Sequence, residues 1–301
     1  MITISVIITT YNSARTIENT ILSVLGQDGI DTEFEVQLIV VDDKSTDKTI
    51  EIIKGFTGLI YQVNDVNSGG PNAGRNRGLA LANGDFITFL DHDDVWKNDK
   101  LTKQLRFKNC PVITCGYDLL KDQKYVETVC NKSEKGFIEY KKNQSFLSKL
   151  AREPDGQICY FGSIMIAAEL KNIAFEEQFG KCDYDYILNI LKNNQSVEVC
   201  EPLFYRYVES NNLSLNENYR LQDYVVNNQM FTKFETTYPA EVKKGKLRLN
   251  ASLGRYYYQQ SNGKMARKYL SQARLRLVNI TLIITSYFGK SIVNKFFNVF
   301  S

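Results

Sequence analysis

Asp91, His92 and Asp93 set two carboxylates at alternate positions directly behind the apolar run 86–90. Acids so placed are hard oxygen ligands of the kind Mg²⁺ or Mn²⁺ takes, and such an ion stabilises a departing diphosphate. A plainer reading of the same residues is a helix cap, with Asp93 or Asp94 opening a helix near Trp96. A second acidic pair, Asp42 and Asp43, ends the apolar run 36–41. Between the two pairs lies Asn67-Ser-Gly-Gly-Pro-Asn-Ala-Gly74, a turn-rich loop leading to Arg75 and Arg77. Further on, Asp183 opens a helix-period stretch, where it could cap the helix.

The elements that carry these groups follow from the hydrophobic periodicity. Short β-branched runs alternate with helix-period segments over the first hundred residues, the pattern of βαβ units in a mostly parallel sheet. Strands are expected at 4–9, 36–41, 59–63 and 86–90. Helices are expected after Ser13, which would cap the first, after Ser45-Thr46-Asp47, and over 75–82. Both acidic pairs then sit at carboxyl ends of strands, where open α/β sheets bind ligands. Beyond residue 110 the pattern is mixed, with strands near 112–115 and 162–167 and a helix over 183–191. From 221 onward it reads as helices, including 253–260 and 266–277 around the turn Ser261-Asn262-Gly263.

The 301 residues, 43% hydrophobic, suffice for one large core with a smaller appendage. Six cysteines without a CxxC pair, and no secretory leader, argue against a disulfide framework or a zinc site and suit a cytoplasmic protein. The charge is uneven. Residues 241–301 hold 12 Lys or Arg against the single acid Glu241, a net of +11, whereas the other 240 residues carry a net of −8. Within this tail the apolar stretches 277–284 and 292–300 fall short of the roughly 20 residues a spanning helix needs. If the tail touches an anionic membrane it lies on the surface, peripherally on the inner face of the plasma membrane. No nucleic acid is expected as a partner.

In order along the chain, ITTYN, VVDDKS, GGPNAGRNRG and FLDHDD end strands or open a helix. Together they resemble family two of the glycosyltransferases, strongly over 1–100 and less so over 150–210. The resemblance implies a GT-A type α/β fold: a Rossmann-like mixed, mostly parallel sheet flanked by helices, with a C-terminal helical extension. Residues 1–215 would form the catalytic domain, 1–100 binding the nucleotide sugar and 101–215 the acceptor, and 216–301 a basic helical region.

Thr10, Tyr11 and Asn12 would line the base and ribose pocket, with Asp43 accepting a hydrogen bond from the base and Asp42 beside it. Arg75 or Arg77 would meet the diphosphate. Asp91 would contact ribose or metal, Asp93 would bind Mn²⁺ or Mg²⁺, and His92, the chain's one histidine, would fill the variable middle position beside the donor. Trp96 would floor the acceptor site. The family's base is usually the second acid of a Glu-Asp pair; here Cys182 stands in the place of the glutamate and Asp183 in that of the base, with Asp185 and Glu177 as substitutes. Arg206 and the cluster 210–214 would close over the diphosphate.

The implied activity is inverting transfer of a sugar from a nucleotide diphosphate donor, with uracil as the base, to a hydroxyl of a glycan or lipid-linked acceptor in bacterial surface-polysaccharide synthesis. Two rivals stand beside it. One is a binding protein on the same fold that has lost transfer, as Cys182 suggests. The other is a sugar-phosphate nucleotidyltransferase, which favours a glycine-rich basic loop after the first strand where this chain has Tyr-Asn-Ser-Ala.

Overall fold

Strands that are apolar on both faces must be covered on both, and the first hundred residues do this by alternating strand and helix. The computed structural model describes residues 1–180, 182–208, 217–274 and 276–288. Its first half comprises β1 (Ile2–Thr10), α1 (Ile17–Leu25), β2 (Phe34–Asp42), α2 (Thr49–Lys54), β3 (Ile60–Val63), α3 (Pro71–Leu81) and β4 (Phe86–Asp91). Then follow β5 (Val95–Trp96), α4 (Lys100–Leu105), β6 (Val112–Lys121), β7 (Lys124–Val129), β8 (Phe137–Tyr140), α5 (Gln144–Leu150), β9 (Met165–Ala167), α6 (Tyr184–Leu191) and β10 (Ser196–Val208).

The strands form one sheet in the order β3-β2-β1-β4-β9-β6-β10-β5, with β7 on β6 and β8 on β10. β3, β2, β1 and β4 run parallel, and β9 runs antiparallel to both β4 and β6. Register aligns the polar ends: Thr10 lies opposite Asp42 and Thr9 opposite Asp91. The three sequence segments that carry acids or the Tyr11 turn therefore finish level on one edge of the sheet. Ile4, Val6, Ile8, Val40 and Leu90 are buried beneath them. Burial of each such side chain contributes about 1.5–3 kcal/mol.

α3 begins at Pro71, four residues before the expected start, because proline pre-sets the helical φ at the first position and has no amide hydrogen to waste there. It packs tightly over β1 through Gly78, where a Cβ would overlap the Ile7 side chain. Ser13 does not cap α1 with its hydroxyl. Its carbonyl accepts from Thr16 N and Ile17 N, while its hydroxyl pairs with Thr10 Oγ1. No helix starts near Trp96 either: Trp96 lies in β5, opposite Phe204 of β10, and α4 begins only at Lys100.

The chain divides into two units, Met1–Phe146 with Gln157–Leu215, and Leu147–Gly156 with Asn216–Ser301. Segment 147–156 thus packs with the C-terminal helices, not with the half of the chain assigned to it by sequence order. In this second unit α7 (Glu217–Phe234), α8 (Pro239–Gln259), α9 (Gly263–Leu270) and α10 (Leu277–Thr285) surround Tyr257, Tyr258, Ala266, Leu270 and Leu282. Arg248 donates to Ala151 O at 2.7 Å and Arg152 to Asn227 Oδ1 at 2.5 Å, clamping the segment in place. The expected single helix over 266–277 is two. α9 ends at Leu270, with Ser271 and Gln272 bonding back to its last turn, and α10 starts afresh at Leu277.

Candidate active site

At the end of β1, Asn12 adopts φ 49, a left-handed conformation that asparagine tolerates through local hydrogen bonds. Its N–H donates to Ser45 Oγ at 2.8 Å and its Oδ1 accepts from Thr46 N at 2.8 Å. Asp42, fully buried, accepts from Ser45 N at 2.7 Å and from Ser45 Oγ at 2.5 Å. The β1 and β2 turns are thereby stapled together, and Asn12 and Asp42 spend these groups on the staple. Tyr11 is left 45% exposed at its tip. Asp43 accepts from Asn64 Nδ2 at 2.7 Å and from Ser68 N at 3.0 Å, so its carboxylate also orders the loop that leads to α3.

Arg75 is 4% exposed, with its guanidinium 3.6 Å above the Phe161 ring. It donates to Asp91 Oδ1 at 3.0 Å and to Asn72 Oδ1 at 3.3 Å. Arg75 is placed to hold Asp91, while Arg77 donates to Val63 O at 3.0 Å on the surface. Neither guanidinium stands open for a diphosphate in this arrangement.

His92 and Asp93 are half-buried, and His92 Nδ1 has no hydrogen-bond partner among the described residues. Burial above all, then the neighbouring Asp91 charge, pushes the Asp93 carboxyl above the usual carboxylate range, with His92 and Arg206 pulling the other way. Asp94, 1% exposed, is raised further by burial and by Asp93 and Asp91. Its Oδ1 accepts from Tyr207 N at 3.0 Å, which ties the acidic turn to β10 and replaces the expected helix cap, while its Oδ2 is buried without a described partner. Arg206 lies 4.2 Å over the Tyr160 ring, and Tyr160 and Asp94 are among the groups that hold its charge against burial. The cluster 210–214 expected to close with it lies outside the described residues.

Asp183 immediately precedes α6, half-buried, and makes no side-chain cap bond. Sequence reasoning missed the residue that holds this wall. Asn72, fully buried on α3, bonds three backbone carbonyls: its N–H reaches Gly180 O at 3.1 Å, and its Nδ2 reaches Glu176 O at 3.1 Å and Cys182 O at 3.0 Å. Asn76 adds bonds to Phe175 O and Glu177 Oε1, both at 2.9 Å, so Glu177 is already engaged. A continuous path therefore runs Asp91–Arg75–Asn72–Cys182, ending beside Asp183. In the sequence Asn72 stands in the turn-rich loop 67–74, ahead of the expected helix start, so nothing there marks it as a buried helix residue. Asn72→Ala strips the side-chain donors from two carbonyls, and we expect about 2 kcal/mol lower stability together with slower turnover at unchanged nucleotide affinity. Calorimetry and steady-state rates check this; wild-type turnover would remove Asn72 from the site.

Two expected acceptor contacts are corrected. Trp96 is 2% exposed within the main core, with Lys100 Nζ 4.1 Å from its ring, so it cannot floor an open site. Cys182 is 1% exposed, and Asn72 uses its backbone oxygen. Asp185 is fully buried, accepts weakly from Glu176 N at 3.3 Å, and has Oδ1 without a described partner. Burial raises its carboxyl to about 6, against opposing backbone donors led by Tyr186 and with a further push from Asp183. Because this folded value lies above the ordinary 3.8, its stabilising contribution is full below about pH 4 and is lost as pH rises through about 6. Asp185→Asn should raise the melting temperature well above pH 6 and change it little near pH 4. A pH-independent difference would count against a buried charge.

Residues 5–143 match the family model described as Glycosyl transferase family 2. Asp183 lies beyond the matched span. A glycosyltransferase of Haemophilus influenzae is 44% identical over 118 residues, 38% of this chain and 46% of that protein. The poly(ribitol-phosphate) beta-N-acetylglucosaminyltransferase TarS of Staphylococcus aureus is 41% identical over 110 residues, 36% of this chain and 19% of that one. The chain thus spans half or less of the length of the curated relatives it matches. Among solved structures, residues 1–349 of TarS in complex with UDP-GlcNAc align with a TM-score of 0.64 at 17% identity, covering 98% of this chain and 91% of that one. The mannosyltransferase PcManGT of Pyrobaculum calidifontis, in complex with GDP-Man and Mn²⁺, aligns at 0.57 and 18% identity, covering 94% and 79%. The sheet order and flanking helices are those of the GT-A fold.

Proposed function

We propose that this chain, whose residues 5–143 match the Glycosyl transferase family 2 model and which has a GT-A fold, is an inverting transferase moving a sugar from a UDP-sugar to a hydroxyl of a surface glycan or lipid-linked acceptor. One observation carries the reading. Register sets Thr10 opposite Asp42 and Thr9 opposite Asp91 at one sheet edge, and the Arg75–Asn72 path joins that edge to the loop bearing Asp183. Uracil as the base is supported by the complex of TarS with UDP-GlcNAc, and a surface-glycan acceptor by the polymer in the TarS name.

In this mechanism the exposed Tyr11 ring covers the base and the donor's diphosphate lies towards Asp91 and Asp93. The residues fit a divalent cation shared with the donor. Asp91 Oδ2 is not engaged by Arg75, and the Asp93 charge, disfavoured by burial, is one that a cation relieves. Among the described residues no group of three His, Cys, Asp or Glu could hold an ion alone, so phosphate oxygens would complete its shell. Mn²⁺ or Mg²⁺ bound there would neutralise charge growing on the leaving diphosphate. Arg75 keeps Asp91 aimed. Asp183 accepts the proton of the acceptor hydroxyl as its oxygen attacks the anomeric carbon from the side opposite the diphosphate, so an α-linked donor gives a β-glycoside.

Thermal shift and release of nucleotide, measured with Mn²⁺ across UDP-, GDP-, CDP- and dTDP-sugars, test the reading. Stabilisation by a UDP-sugar with metal-dependent release of UDP is the expected result. Stabilisation without any release or transfer would favour the binding-only rival that Cys182 raised, and silence towards every nucleotide would overturn both.

A further inference from the structure

Leu277 opens α10 at 84% exposure, and Ile280, Ile284, Tyr287 and Phe288 follow at helical spacing with exposures of 38%, 54%, 70% and 63%. The last two continue the stripe past the final helical residue. The opposite side holds Asn279, Leu282, Thr285 and Ser286, all buried, of which three are polar. Each of the three is bonded. Asn279 Nδ2 donates to Arg274 O at 2.8 Å, the Thr285 and Tyr258 hydroxyls pair at 2.7 Å, and Arg267 donates to Ser286 O and Oγ, both at 3.1 Å. A Cβ at Gly263 would stand 2.5 Å from Ser286 O, so α9 holds the end of α10 at close range. α10 is therefore bonded inward through its polar side and shows its apolar stripe outward, the reverse of a helix that ends at its own core.

A basic surround accompanies the stripe. Lys264, Lys268, Arg274 and Arg276 are exposed, and the Arg267 guanidinium stacks 3.9 Å from the Tyr287 ring. No Asp or Glu occurs anywhere in 242–301. We propose that the outward face of α10 is seated on an anionic lipid bilayer, with Leu277, Ile280, Ile284, Tyr287 and Phe288 at the headgroup–acyl boundary and the arginines and lysines on lipid phosphates. Charge decides between occupants. A second copy would bring the same uncompensated cations to the face, and residues 289–301 of the chain itself bring Lys290 and Lys295 with no acid. A lipid surface alone among these supplies apolar depth and negative charge together. Aromatic side chains such as Tyr287 favour that depth. Among the described residues no helix is long and apolar enough to cross a membrane, so the contact is with the surface.

The inference is independent of sugar transfer, and its test needs no nucleotide. The full chain is sedimented with vesicles of phosphatidylcholine alone and of phosphatidylcholine with about one-third phosphatidylglycerol. Binding to the anionic vesicles only, weakening as salt shortens the screening length, is expected. The double variant Leu277→Gln/Ile284→Gln should reduce partitioning by about tenfold or more, since two apolar side chains leave the boundary. Arg274→Gln/Arg276→Gln should reduce it roughly tenfold and flatten the salt dependence. These side chains are exposed, so both variants should melt with the wild type. Equal binding to neutral vesicles, or wild-type binding by the apolar double variant, would overturn the proposal. A dimer in vesicle-free solution that the apolar variant dissolves would also overturn it and make the face a contact between copies.

Discussion

Asp183→Asn should lower sugar transfer by about 10³-fold, some 4 kcal/mol of transition-state stabilisation, while the affinity for donor and metal stays at the wild-type value. The amide keeps the size and shape of the carboxylate but cannot take a proton, so only the step in which the acceptor oxygen attacks is lost. Asp183 does not use its side chain to cap α6, so the substitution spares the helix start. Asp185, two residues on, does the opposite work: it is fully buried and shaped by packing. Single-turnover rates and isothermal titration with the donor make the separation. Transfer at the wild-type rate in Asp183→Asn would remove this carboxylate from the chemistry.

Asp93→Asn should abolish metal-dependent donor binding and turnover together, and at the same time make the metal-free protein more stable. The two effects share one cause. Three carboxylates crowd into the turn after β4, where burial and mutual repulsion hold Asp93 above its ordinary range and Asp94 well above it. Among the described residues Asp91 alone of the three is ion-paired, with Arg75 at 3.0 Å. Removing the Asp93 charge relieves that crowding when no cation is present, and on the proposed reading would remove a cation ligand when one is. On that reading, function would be held at the expense of fold stability, a common arrangement at active sites. Melting temperatures with and without Mn²⁺, each with and without UDP-sugar, check it. The variant should melt above the wild type in chelator and should lose the upward shift that donor and metal give together. A donor-induced shift equal to that of the wild type would place the metal elsewhere.

The two variants separate the halves of the mechanism, because one leaves donor binding intact and the other destroys it. Asn72→Ala tests the path between them. Slower turnover at constant nucleotide affinity would show that the Arg75–Asn72 path aligns Asp183 with the donor.

Much of this is legible in the residues themselves. Apolar runs covered on both faces and closed by Asp42-Asp43 and Asp91-His92-Asp93 could hardly be anything but parallel strands with acids at a binding edge, because period and polarity are local properties of the chain. The uneven charge of the tail is a matter of counting. What each polar side chain does with its hydrogen bonds is not local. Arg75 faces Asp91 across 16 residues, Asn72 reaches Cys182 across 110, and Asp94 meets Tyr207 across 113. Partnerships at that separation exist only once the sheet has brought β4, α3 and β10 together. The same holds for burial. Trp96 resembles an acceptor platform until β5 pairs with β10 and turns the indole into the core. The apolar stretch 277–284 shows in the sequence only as too short to span a membrane; which of its sides faces outward follows from Tyr258, Arg267 and Gly263, which claim the polar side. Sequence alone determined the strand-end acids, the fold class and the basic tail, since these follow from residue type and spacing. Tertiary structure decided which acid is held, which is crowded and which apolar face is left uncovered, since those depend on neighbours that the chain meets only after folding.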